Sequence, residues 1–239
     1  MPKTKKAVKS TAPSKAKAAA KPKAKKVAKS LKLKPASVVK HKAKKAPKTK
    51  KEAIEQAQML NSEVVFEGPL FRILRDRLIE PGGKENTRDI IRHNGSVVIL
   101  AVDNKKSKRN PWIVIERQYR HAAGRFLWEL PAGKLEPGEE PLVGAKRELE
   151  EETGYRAKKW KPMVEYYASP GFLGESMKVF LAEGLMAGNA HPEEDEQIEF
   201  RLVKLSELVK LIEKGAILDG KTLTGVLLYA RKLAGKRGN

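Results

Sequence analysis

Residues 133–155 read GKLEPGEEPLVGAKRELEEETGY, a glycine-bearing loop that runs into one short helix. No other stretch constrains the architecture as much. On a helix turning about 100° per residue, Glu151 and Glu152 follow Glu148 by three and four places, so all three carboxylates leave one face. Like charges this close repel, and the repulsion costs stability unless a divalent cation or an arginine neutralises it. Arg147 stands beside them. Oxygen donors gathered in this way suit Mg²⁺ or Mn²⁺ rather than zinc. Pro137 and Gly138 predict a turn, Pro141 suits a first helical turn, and Gly154 is a stop just past the last periodic residue. Leu142, Ala145 and Leu149 form an apolar stripe, so one side of the helix packs while the other is left for ions.

Lysine sets the N-terminal segment apart. Twenty lysines lie between Lys3 and Lys51, with no arginine, acid or aromatic residue before Glu52. Almost all of the net charge of +21 resides there, because the remainder holds 30 basic against 29 acidic residues. A segment of Lys, Ala and Pro has nothing to build a core from, so residues 1–51 are expected to be a disordered basic tail. Two roles stay open for it: non-specific contact with nucleic acid or another polyphosphate through counterion release, or a solubilising extension with no dedicated partner. Without aromatic rings or guanidinium groups the tail has no means of reading base sequence. The sequence shows no secretory apolar core, no Arg-rich presequence and no stretch of membrane-spanning length. Zero cysteines exclude disulfides and thiolate chemistry. A cytoplasmic setting is expected.

From Glu52 onward 188 residues remain, ample for one hydrophobic core. Residues 52–60 are expected to form a short helix joining tail and domain. Strands are expected at Val64–Phe66, Phe71–Asp76 and Thr87–His93, a small β region within about 62–93, separated by Gly68-Pro69 and Pro81-Gly82-Gly83. Ser96–Val102 and Trp112–Gln118 are apolar, β-branched runs that read as buried strands. After the glycine loop and helix, strands are expected near Lys161–Tyr167, Met177–Ala182 and Ile198–Val203. A helix follows over Leu205–Lys214, and a last one over about Thr222–Leu233 places Leu223, Val226, Leu227, Ala230 and Leu233 on one side. Phe126 and Trp128 read as packing residues rather than as rings for stacking on a base.

Taken alone, a run of acids is what a solvated surface helix carries; the spacing separates this one. It reads Gly133, five residues, Glu139, seven residues, Arg147, Glu148, Leu149, one residue, Glu151, Glu152, one residue, Gly154, Tyr155. This pattern resembles the Nudix box at every defined position. The resemblance implies an α/β fold, the Nudix α/β/α sandwich with a mixed sheet, over residues 52–239. It further implies hydrolysis of a nucleoside diphosphate linked to another group, with two or three Mg²⁺ or Mn²⁺ ions. ERQYR at 116–120, ELPAG at 129–133, ASPG at 168–171 with Glu175, and HPEEDEQIEF at 191–200 resemble the ADP-ribose pyrophosphatase branch, as does Pro170, fifteen residues past Tyr155. The implied reaction converts ADP-ribose to AMP and ribose 5-phosphate. GDP-mannose or another nucleotide sugar is the alternative substrate. A nucleic-acid-associated protein acting through its tail is the alternative of another class.

Carried over residue by residue, the resemblance assigns the carbonyl of Ala132 and the carboxylates of Glu148 and Glu152 to metal. Glu151 lies close by and Arg147 holds the cluster. Glu196 would add a carboxylate from the acidic loop. Glu194 matches the position of the general base, with Glu193, Asp195 and Glu196 as rivals. Arg120 would grip the phosphate or terminal ribose, and Glu175 a ribose hydroxyl. Glu129 is read either as a substrate-side group or as the counter-charge of a neighbouring arginine. The resemblance also implies a homodimer with exchanged N-terminal strands.

Overall fold

The computed structural model describes residues 56–68, 71–190 and 198–235. The lysine-rich tail expected over 1–51 lies outside the described residues. The first elements are three antiparallel strands, β1 (Gln58–Glu67), β2 (Arg72–Ile79) and β3 (Glu85–Ile91), paired in that order. Cross-strand charge pairs run over their exposed face, with Arg75 donating to both Asp89 oxygens at 2.8 and 2.9 Å. Beneath them, buried Asp76 accepts from Ser62 at 2.6 Å and from Arg92 at 2.9 Å. The helix expected over 52–60 is corrected: Gln58, Met59 and Leu60 already belong to β1, Gln58 and Met59 opposite Ile79 and Leu78. Pairing with β2 supplies hydrogen bonds that a short isolated helix could not match.

The main sheet runs β10–β5–β4–β9–β8, with β6 beside β5 and β7 beside β4. These strands are β4 (Ser96–Asp103), β5 (Trp112–Arg120), β6 (Arg125–Glu129), β7 (Ala132–Lys134), β8 (Arg156–Tyr167), β9 (Ser176–Met186) and β10 (Glu199–Lys204). β4 and β9 are parallel and the other pairs antiparallel, so the sheet is mixed. β4 lies at the centre and is solvent-free from Val97 to Val102. Because successive side chains alternate across a strand, Val97, Ile99 and Ala101 enter one core and Val98, Leu100 and Val102 the other. The first core is closed by α1 (Pro141–Thr153) through Ala145 and Leu149. The second is closed by α2 (Leu205–Glu213) and α3 (Gly220–Gly235) through Leu208, Val226 and Tyr229. A sheet between helical layers is the expected α/β/α sandwich, and each fully buried aliphatic side chain stabilises it by about 1.5–3 kcal/mol.

Several expected elements change in extent. β8 begins at Arg156 rather than Lys161 because its ladder with β9 continues to Arg156↔Met186, carrying lysines on its exposed face. β6 and β7 are too short to announce themselves by periodicity. On α3 Leu227 is 43% exposed, whereas Tyr229 is buried, so the packed stripe is rotated from the one read off the sequence. Among the described residues, no helix is long and apolar enough to cross a membrane.

Candidate active site

β7 lies against β4, with Ala132 opposite Val98, Gly133 opposite Val97 and Lys134 opposite Ser96. Next, Leu135 turns its side chain into the core and is tied to the start of β4 by Leu135 N–H to Gly95 O at 3.0 Å. Glu139 folds back so that its Oε2 accepts from Glu136 N–H at 3.0 Å. Then α1 starts at Pro141, its first turn capped by the Glu140 carboxylate, which accepts from Leu142 and Val143 N–H at 3.0 and 3.1 Å. Gly154 ends it in the left-handed region at φ 69°, where a side chain is disfavoured.

This layout lays the acidic face of α1 on the glycine loop. The Glu148 carboxylate rests against Gly133 so closely that a β-carbon at 133 would overlap it. Arg147 spans the cluster. Its Nη1 is 2.9 Å from both Glu148 Oε1 and Glu151 Oε2, its Nε and Nη2 donate to Glu139 at 3.2 Å, and Nη2 also reaches Lys134 O at 3.2 Å. The hydrogen bonds to Glu139, with the charges of Glu148 and Glu151, raise the guanidinium above its ordinary pKa, and the Arg147 bonds hold the Glu139 carboxyl below the usual carboxylate range. Glu152 is buried and accepts from Ala132 N–H at 3.1 Å, which joins the end of α1 to β7.

A second, buried group of charges lies behind this face. Arg120 forks onto Glu129 with contacts of 2.9 and 2.7 Å, and Lys221 Nζ pairs with the same carboxylate and with Asp219 at 3.1 Å. Burial pushes the Glu129 carboxyl up, but the Arg120 hydrogen bonds and the Lys221 charge overcome this and leave it below its ordinary value. The two cations therefore engage Glu129 fully, while Arg120 keeps 38% of its side chain exposed. Asp219 also accepts from Thr222 N–H and Oγ1, and Thr222 Oγ1 in turn accepts from Leu130 N–H, so the start of α3 is fastened to the end of β6. Opposite Glu129 on β5 stands Glu116, fully buried, with neither carboxyl oxygen hydrogen-bonded. Burial pushes its carboxyl up to about 8, so it is protonated at neutral pH. The sequence reading assigned Glu116 no role of its own; an acid closing the apolar run WIVIE was the available signal.

Glu175 accepts from Ser96 Oγ at 2.6 Å, at the point where β4 meets both Lys134 of β7 and Met177 of β9. The loop before it is fixed to β3 by Ile91 N–H to Phe172 O at 2.7 Å and Gly174 N–H to Ile91 O at 2.8 Å. Glu194, Glu196 and the rival carboxylates Glu193 and Asp195 lie outside the described residues. The approach to them is described: a β-carbon on Gly154 would fall 2.6 Å from Ala190 N, so the chain entering the acidic loop packs on the C-terminal end of α1.

The sequence-predicted residues thus fall into a box cluster of Ala132, Arg147, Glu148, Glu151 and Glu152, a neighbouring pair Arg120–Glu129, and Glu175 on Ser96. Among the described residues, no three acidic or histidine side chains converge to enclose an ion. Arg147 draws Glu148 and Glu151 together while Glu152 sits on the backbone of Ala132. The donor chemistry fits a hard divalent cation, since every candidate ligand is an oxygen.

Residues 92–224 match the NUDIX domain family. The chain is 39% identical over 169 residues to an ADP-ribose pyrophosphatase of Bacillus subtilis (strain 168), covering 70% of this chain and 89% of that protein. It is 38% identical over 174 residues to an ADP-ribose pyrophosphatase of Mycobacterium tuberculosis (strain ATCC 25618 / H37Rv), covering 71% and 81%. A solved structure described as an ADP compounds hydrolase superposes with a TM-score of 0.65 over 76% of this chain and 96% of its own, at 20% identity, a likeness of fold alone. Since the matched range contains the whole loop and helix on which the carboxylates are mounted, the chain belongs to the NUDIX domain family and is a Nudix hydrolase.

Proposed function

We propose that this hydrolase cleaves the pyrophosphate bond of a nucleoside diphosphate sugar, with ADP-ribose as substrate and AMP and ribose 5-phosphate as products. The observation that carries the reading is the acidic face of α1 pressed on Gly133 and gathered by Arg147. The two ADP-ribose pyrophosphatases, similar over most of this chain, support the choice of substrate.

In this reading the Ala132 carbonyl, Glu148, Glu152 and Glu196 hold two or three Mg²⁺ or Mn²⁺ ions, with Glu151 beside them. Bound ions of this kind supply charge neutralisation at the diphosphate and a lowered pKa for an attacking water. The chain's own residues do the rest. Arg147 orients Glu148 and Glu151, and the N–H of Ala132 fixes Glu152. Glu194, in the acidic segment that follows Ala190, accepts the proton of the water. That oxygen bonds to one phosphorus while the bridging P–O bond breaks and its electron pair leaves with the other phosphate. Arg120, half-exposed and aimed by Glu129, contacts phosphate or terminal ribose. Glu175, set by Ser96, accepts from a ribose hydroxyl.

The N-terminal strands support a homodimer. β1 is exposed along all ten residues, and Met59, Val64 and Phe66 each leave about half of their surface in solvent. The composition of residues 1–51 supports non-specific contact with nucleic acid or polyphosphate, strongly weakened by salt.

A panel of ADP-ribose, GDP-mannose and other nucleotide sugars, incubated with the full chain and Mg²⁺ or Mn²⁺, tests the substrate through released nucleoside monophosphate. Turnover of ADP-ribose above all others is expected, and preference for GDP-mannose overturns that choice. Glu151→Gln and Glu152→Gln should each abolish turnover with the fold intact; undiminished hydrolysis in both removes the site assignment.

A further inference from the structure

The β5–β6 hairpin carries more aromatic and cationic side chains than the hydrolytic site uses. Strand alternation sorts them. Glu116 and Arg120 continue the row of Val114, which faces α1, whereas Arg117 and Tyr119 continue the row of Ile113 and Ile115, which packs under α2 and α3. Across the ladder Arg117 faces Trp128 and Tyr119 faces Phe126. Trp128 is partly buried against the core, but beyond it Tyr119 is 49% and Phe126 45% exposed, contrary to the packing role expected for Phe126.

These side chains form an ordered surface. Tyr119 and Phe126 meet edge to face with centroids 5.3 Å apart. The Arg117 guanidinium lies 4.2 Å from the centroid of Phe126, and that of Arg201, reaching across from β10, lies 3.9 Å from the indole of Trp128. Residues 117–128 contain no acid. Glu199 approaches Arg117 at 3.7 Å with both side chains solvent-exposed, a pairing that contributes little. Fold stability accounts for Trp128 but leaves two exposed rings and two stacked guanidinium groups without a use. Stacked guanidinium groups are held flat in advance, so little rotamer freedom is lost when an anion arrives. A ligand that satisfies rings and cations together is planar, aromatic and repeatedly anionic. Its bases must be open on their faces, which a duplex does not offer.

We propose that this face, on the side of the sheet away from the Nudix helix, binds single-stranded nucleic acid by stacking bases on Tyr119 and Phe126 while Arg117 and Arg201 meet the phosphates. Charge complementarity identifies the occupant, and the twenty lysines between Lys3 and Lys51 add attraction for the same polyanion without discriminating its bases. The inference does not depend on which nucleotide sugar the enzyme cleaves.

The test uses the full chain, a labelled oligothymidylate and an abasic strand of equal length, followed by fluorescence anisotropy at roughly 0.15 M salt. The native chain is expected to bind oligothymidylate at least tenfold more tightly than the abasic strand. The double variant Tyr119→Ala, Phe126→Ala should lose about five- to a hundredfold on oligothymidylate. Its abasic binding and its hydrolytic rate should be unchanged, the latter reporting an intact fold. Equal affinity of the native chain for both strands overturns the proposal, leaving binding to the lysines alone. So does an unchanged affinity in the double variant. Conversion of a dimer to a monomer in that variant, at constant affinity, assigns the face instead to a second copy of this chain.

Discussion

The carboxylate of Glu148 lies directly on Gly133, across the junction between α1 and β7, in the space a β-carbon would need. Glycine is required there for room, not for backbone freedom. Gly133→Ala should push Glu148 aside while the strand pairing Gly133↔Val97 survives. A displacement of about 1 Å in a catalytic group costs on the order of 100-fold in rate, so kcat is expected to fall by about that factor with the circular dichroism spectrum preserved. Native kcat in this variant refutes the placement of Glu148.

Arg147 neutralises three carboxylates that would otherwise repel one another. Arg147→Ala should destabilise the fold by about 1–3 kcal/mol, the scale of charge-assisted hydrogen bonds, and raise the divalent-ion concentration needed for half-maximal rate. Arg147→Lys should recover little, because an ammonium cannot span Glu139, Glu148 and Glu151 at once. Urea denaturation and a Mg²⁺ titration check both expectations; full recovery by lysine contradicts them.

Gly154 carries two demands, a φ of 69° and direct contact with the backbone of Gly188, Asn189 and Ala190. Gly154→Ala is expected to cost about 1–3 kcal/mol through backbone strain. It should also shift the entry to the acidic loop, so that kcat falls more than KM rises. An unaltered kcat at reduced melting temperature separates loop position from catalysis.

Glu116 should leave a signature in the pH dependence of stability. Burial raises its carboxyl from 4.5 in the unfolded chain to about 8 in the folded one. Between these values the folded protein holds a proton that the unfolded chain has released, so raising pH through this window favours unfolding. Below the window both states are protonated and the contribution is fully present. Glu116→Gln removes the titration, and its melting temperature relative to the native chain should climb steadily from pH 5 to pH 8. Parallel melting profiles exclude the buried acid as the cause.

The box was legible because its chemistry is local. Glu148, Glu151 and Glu152 share a face by helical geometry, and Pro141 and Gly154 mark the ends by backbone preference, so α1 closely follows the expected range. β4 and β5 were equally legible, since continuous β-branched runs have one stable destination, a strand covered on both faces. β6 and β7 were not, because strands of five and three residues exist by virtue of the neighbours they pair with. The start of β1 was misread as helix for the same reason.

By itself the sequence determined the loop and helix that bear the carboxylates, the alternating core of the central strands and the concentration of positive charge ahead of Glu52. Each depends on residues a few places apart, where spacing alone sets geometry. Tertiary structure decided what those groups meet: Glu148 against Gly133, Glu152 on Ala132, Glu129 between Arg120 and Lys221, and Glu116 sealed from solvent opposite Glu129. Glu129 and Lys221 stand 92 residues apart in the chain, and only the closing of α3 onto β6 brings them into one low-dielectric space, where their charges act strongly on each other.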